Sequence, residues 1–152
     1  MPISADKMKL YPGGSIKSPE WQAIRERIRS RAGNRCEKCG VDNYALGGRL
    51  RSSGKFLPAQ PKGDNGLRLV WPKPGEEWWC GEGEPILLRI IKIVCTVAHA
   101  DNHLTDHSDD NLRFWCQQCH LRHDAKQHAA SARLTRRRKA PQIDIEDWLG
   151  TR

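Results

Sequence analysis

Two pairs of cysteines carry the clearest chemistry in the chain. Cys36-Glu37-Lys38-Cys39 and Cys116-Gln117-Gln118-Cys119 are both C-x-x-C, the spacing at which a tight turn aims two thiolates at one tetrahedral ion. Four thiolates favour zinc and leave no open position for a substrate. The expected role is therefore structural, a staple between an N-terminal helix and a C-terminal one. Gly40, directly after the first pair, suits a knuckle turn. Seventy-six residues separate the pairs, far more than in a compact zinc ribbon, so a single shared four-cysteine site is an expectation that spacing alone does not fix. Cys80 and Cys95 lack a partner at this spacing, and Cys95, inside an apolar run, reads as a small core residue.

Three more residues stand in a telling order. His99 closes an apolar run, Asn111 follows a polar stretch, and His120 comes directly after Cys119. A strand ending in His, a loop pinned by Asn and a helix that begins inside C-x-x-C-His resemble the HNH nuclease family. The resemblance covers about residues 34–125, with the segment 47–85 outside it, and is strongest over 97–124. It implies a small α+β domain built on a ββα-metal (His-Me finger) core, with DNA as substrate. His99 would be the general base, Asn111 the residue that fixes the loop, and His120 a ligand of a divalent cation. Small proteins of this build are often phage or prophage encoded, which the resemblance suggests. One position departs from the pattern. Where the family commonly has a cation-binding Asp or His before the base, this chain has Ala98. Another carboxylate would have to replace it, Asp101 first and Asp124 second. Failing that, the alternative is a catalytically weak or inactive zinc-stabilised nucleic-acid-binding module.

The residue types suit that chemistry independently of the family. Phosphodiester hydrolysis needs a base poised near neutrality, and imidazole is the side chain already there. It also needs a cation to neutralise the pentacoordinate phosphate and the leaving oxygen. Imidazole with carboxylates accepts Mg, Mn, Ni or Zn. His120, His123 and Asp124 fall at i, i+3 and i+4 and share a helix face. His103, Asp106 and His107 read equally well as ordinary polar loop residues.

The elements that must position these groups are marked to different degrees. Ser18, Pro19 and Glu20 are start signals for a helix over about 19–32 that Gly33 closes. Trp21, Ile24 and Ile28 form its apolar stripe, and Arg25, Arg27, Arg29 and Arg31 lie off it, facing solvent or phosphate. Residues 47–85 hold eight Gly and five Pro in 39 residues, an insert of loops and short hairpins whose one strand-like run is 67–71. Trp78 and Trp79 are expected to plug this insert against the core. Residues 86–98 read as one strand, paired with 67–71, that delivers His99. A second helix is expected from about residue 116 to 132. The domain organisation expected is thus an extended lead-in over 1–17, a zinc-stapled domain over 18–132, and a tail over 133–152, first basic and then acidic.

Composition sets the partner class. The chain has 152 residues, with 26 Lys and Arg against 18 Asp and Glu and a net charge of +8, which suits an acidic polymer whose counterions are released on binding. Arg25, Arg29, Arg136, Arg137, Arg138 and Lys139 are the candidate phosphate contacts, and DNA the expected partner. The apolar run at 86–98 is interrupted by Arg89 and Lys92 and is too short to span a bilayer. Residues 1–10 hold no continuous apolar h-region. A cytoplasmic setting is therefore expected, and there six cysteines fit metal better than disulfides.

Overall fold

A computed structural model describes residues 4–64, 68–101 and 103–139. The chain is mixed α/β, with small antiparallel sheets and a cluster of four cysteines. It divides into two compact units, Met1–His120 and Leu121–Arg152.

In the first unit, residues 5–14 are not the extended lead-in that their Pro and Gly content suggests. They form a single helical turn α1 (Ala5–Met8) and a 3-10 turn at Pro12–Gly14. The turn is locked by the helix that follows, α2 (Pro19–Arg31), whose N-cap Ser18 accepts from the Trp21 amide and donates to the Pro12 carbonyl. Gly13 is obligatory there. At φ +68° a Cβ would collide with Glu20 Oε2 and the Ser18 side chain. As its stripe requires, α2 buries Trp21 and Ile28. Its arginines lie off the buried stripe as expected, but two of the exposed ones are paired. Arg27 pairs with Asp109 at 2.6 Å, and Arg31 binds Glu37 and the carbonyls of Asp109 and Leu112.

The insert consists of hairpins, as its composition implies. Strand β1 (Leu46–Arg49) lies between β2 (Phe56–Pro58) and β7 (Ile91–Lys92), β3 (Lys62–Asp64) pairs with β4 (Arg68–Val70), and β5 (Glu77–Cys80) pairs with β6 (Ile86–Arg89). A small core of Ala59, Cys80 and Ile90 sits beneath it. Trp78 packs there and donates from Nε1 to the Gln60 carbonyl, but Trp79 is 44% exposed, so only one of the two indoles plugs the insert.

Residues 86–98 are not one strand and do not pair with β4. The run splits into β6, β7 and β8 (Cys95–His99), which pair with β5, β1 and β9 (Leu112–Cys116) in turn. The breaks fall where other backbone intervenes. The Ile90 amide donates to the Glu76 carbonyl, and Ile93 exchanges bonds with Tyr44 and Ala45. The β8–β9 hairpin pairs Cys95 with Cys116 at one end and His99 with Leu112 at the other. Its inner face, with Trp21, Ile28 and Leu112, forms the main core. Strand β9 runs directly into helix α3 (Gln117–Lys139).

In the second unit, α3 continues past residue 132 to Lys139, so Arg133, Arg136, Arg137 and Arg138 ride on a helix and not on a tail, and all four are exposed. Ala-rich composition and the absence of Gly or Pro from 117 to 140 explain the extra length. Thr135 donates to the Ser131 carbonyl, and His128 lies 3.9 Å from Asp124. The Lys139 side chain and the acidic segment at 143–149 lie outside the described residues. No described helix is long and apolar enough to cross a membrane.

Candidate functional site

The two C-x-x-C turns converge. One ligand atom from each of Cys36, Cys39, Cys116 and Cys119 lies within 4.8 Å of the others, and Cys39 Sγ is 3.7 Å from Cys116 Sγ. A tetrahedron with Zn–S bonds of ~2.3 Å has edges of ~3.8 Å, so the Cys39–Cys116 pair stands at that spacing and the four thiols together could hold a zinc ion. The first pair is a knuckle as expected. The Gly40 amide donates to the Cys36 carbonyl at φ +71°, and the Cys36 amide to the Val41 carbonyl. Glu37 joins the knuckle to the hairpin, its amide donating to the Phe114 carbonyl and its carboxylate accepting from the Phe114 amide.

The thiols are not electrostatically alike. Burial raises Cys36, but amide donors led by that of Cys116 outweigh it and bring the group down to about 7. Burial raises Cys39 and Cys119, the latter further through neighbouring thiols. Four adjacent thiolates repel one another, and a bound dication removes that obstacle. Arg49 Nη2 donates to Cys116 Sγ at 3.5 Å, a cation that no local pattern links to the cluster. Cys95 is a buried neighbour, pushed up to about 12 by burial and then by Cys36. It behaves as the core residue its position implies.

At the far end of the hairpin stands His99. Only 7% exposed, it stacks parallel to Trp21 with ring centroids 6.0 Å apart. It is thus buried against the indole of α2. Its Nε2 is 3.1 Å from His107 Nδ1, and His107 Nε2 is 3.0 Å from the Leu10 carbonyl. Burial, then the His107 imidazole, push His99 below the ordinary histidine value, against the opposing pull of Asp101 and Asp106.

Asn111 is buried, and its side chain uses both ends to hold the intervening loop. Oδ1 accepts from the Asp101 amide at 3.1 Å, while Nδ2 donates to Asp101 Oδ1 at 2.9 Å and to the Asp106 carbonyl at 3.0 Å. The Asp101 carboxylate also accepts from the His103 amide, and these donors hold it below the usual carboxylate range. Asp101 is thus one of the loop's own fasteners.

Ala98, the position that departs from the family pattern, is 3% exposed and belongs to the main core, so an aspartate there would bring a charge into apolar packing. His120 lies in the first turn of α3, its ring 6.5 Å from that of Trp115. Asp124 belongs to the second unit, beside His128. Among the described residues, the four cysteines are the one group of three or more ligating side chains gathered closely enough for a metal. Arg25 and Arg29 line a cavity of 140 Å³ together with Gln22, Glu26, Asn43 and Tyr44, floored by Cys95, Val97 and Phe114. Comparison with protein-family models, with curated proteins and with solved structures returns no match.

Proposed function

We propose that the protein is a zinc-stapled, metal-dependent HNH-type endonuclease that hydrolyses DNA phosphodiester bonds. The core of the proposal is a ββα-metal arrangement of β8, β9 and the first turn of α3. The observation that carries it is the loop between the strands. It begins at a strand-end histidine and is pinned from the start of the next strand by three side-chain bonds of Asn111. The second pair of a zinc-competent cluster and His120 follow at once.

In this reading His99 takes a proton from water, the water oxygen attacks phosphorus, one P–O ester bond breaks, and the leaving oxygen takes up a proton. Burial, then the His107 imidazole, favour the neutral form of His99, the form that can accept a proton. A divalent cation, Mg, Mn, Ni or Zn, would supply charge neutralisation at the phosphate. His120 is its candidate ligand, with Asp101 or Asp124 adding a carboxylate. Arg25 and Arg29, together with Arg136, Arg137, Arg138 and Lys139, would hold the backbone of the DNA. A chain of net charge +8 supports that partner.

The buried Ala98 favours a second reading, a zinc-stabilised nucleic-acid-binding module that does not cleave. Incubation of supercoiled plasmid with each of the four cations, beside an EDTA control and His99→Ala, separates the two. Cation-dependent nicking that His99→Ala abolishes supports the nuclease. DNA binding without cleavage under every cation assigns the module. Asp101→Asn and Asp124→Asn, compared under the active cation, identify the carboxylate.

A further inference from the structure

His107 has no role in the reading above, yet its ring joins His99 to the N-terminal segment. Its Nε2 lies 3.0 Å from the Leu10 carbonyl oxygen, and a carbonyl can only accept, so Nε2 carries the hydrogen. A neutral imidazole then has a bare Nδ1. That Nδ1 faces His99 Nε2 at 3.1 Å, so the proton between the rings belongs to His99. The consequence falls on the far side of the His99 ring, where Nδ1 is left with its lone pair. One backbone oxygen thereby dictates, through two rings, which nitrogen of His99 can accept a proton.

We propose that His107 is a positioning residue that fixes His99 in its Nε2-protonated tautomer and so presents Nδ1 as the basic nitrogen. The catalytic meaning of this rests on the endonuclease reading; the tautomer itself does not. Packing keeps the relay in register. Tyr11, the residue after Leu10, stacks on His107 with ring centroids 6.2 Å apart and meets Trp21 edge-on at 4.9 Å, and Trp21 lies parallel to His99. Burial of His99 limits the access of water to the bond between the two rings, while the His107–Leu10 bond lies at the surface. The carboxylates that act on His99, Asp101 and Asp106, are bound to their own loop by the amides of His103 and Ser108.

The test uses the full chain, zinc-loaded and labelled with ¹⁵N-histidine, at a pH where the imidazoles are neutral. Long-range proton–nitrogen correlation reports which nitrogen of each ring carries hydrogen. His99 and His107 should both be Nε2-protonated. His107→Phe keeps a ring between Tyr11 and Trp21 but offers no acceptor, so His99 should become a mixture of tautomers. Cleavage turnover should then fall by about 10²-fold, in the range of a lost acid–base group, with KM for DNA unchanged. His107→Asn places an amide oxygen near the former Nδ1 and should restore the single tautomer and part of the turnover. An Nδ1-protonated His99 in the wild type, or a tautomer unmoved by His107→Phe, overturns the proposal. If the tautomers behave as stated while no cation supports cleavage, the endonuclease reading falls and the assignment of His107 stands.

Discussion

Arg49 reaches from strand β1 to the thiol cluster, its Nη2 3.5 Å from Cys116 Sγ while Nη1 donates to the Gly54 carbonyl. The guanidinium therefore belongs at once to the insert and to the thiol cluster, and it would offset part of the charge of four thiolates around an ion. Arg49→Met keeps much of the side-chain bulk and removes the donor. Zinc should then be held about tenfold more weakly, with no change in secondary structure. Competition with a chromophoric chelator measures it, and equal affinities would make the contact incidental.

The cluster itself should be a condition of folding. A structural zinc site contributes on the order of 10 kcal/mol, comparable with the whole stability of a small domain. Cys116→Ser should give a protein that melts far below the wild type or does not fold, and strong chelation should do the same to the wild type. Elemental analysis should find one zinc per chain. A folded wild-type protein free of zinc would remove the staple from the account.

Asn111 makes three side-chain bonds from a position only 8% exposed. Asn111→Ala should cost about 2–3 kcal/mol, because the Asp101 amide and the Asp106 carbonyl lose their partners. Asn111→Asp keeps the acceptor but loses both donors and sets a second carboxylate beside Asp101, so it should rescue little. Hydrogen exchange should show the loss at the loop amides first, Asp101 above all. Uniform loosening of the whole hairpin would mean that the side chain holds the sheet, not the loop.

Two sets of arginines should behave differently. Arg136, Arg137 and Arg138 are exposed on a helix, and neutralising all three should reduce the slope of log affinity for DNA against log salt by about 3. Arg27 and Arg31 are tied to Asp109 and Glu37. Their replacement should lower the melting temperature and leave the salt slope nearly unchanged. Fluorescence titrations at several salt concentrations, with thermal melts alongside, distinguish the sets.

The same division shows what could be read in the sequence. Ser18, Pro19 and Glu20 announce a helix because every signal lies within one turn of its start. The C-x-x-C turns are equally local, and Gly40 marks the first. Their convergence is a long-range event, set by the ladder between Glu37 and Phe114. The apolar run at 86–98 carries no record of its partners, and its three strands are separated by backbone from Glu76, Tyr44 and Ala45. Periodicity places Arg27 and Arg31 off the apolar stripe, but not the carboxylates that meet them. Nothing local distinguishes His107 from His103. What does so is a carbonyl 97 residues away.

The pairing of Leu46 with Lys92 and of Gly47 with Ile91 closes the insert at its neck. Adjacent strands hold those two crossings about 5 Å apart, and the chain between them leaves and returns through one gate. Lengthening a loop whose ends are already joined adds only about 0.6 kcal/mol for each doubling. The outer hairpin β3–β4 touches neither the cysteines nor the histidines in its pairing, and its second strand is exposed throughout. A foreign peptide of similar or greater length grafted in its place should therefore leave the four-cysteine cluster and the β8–β9 hairpin folded.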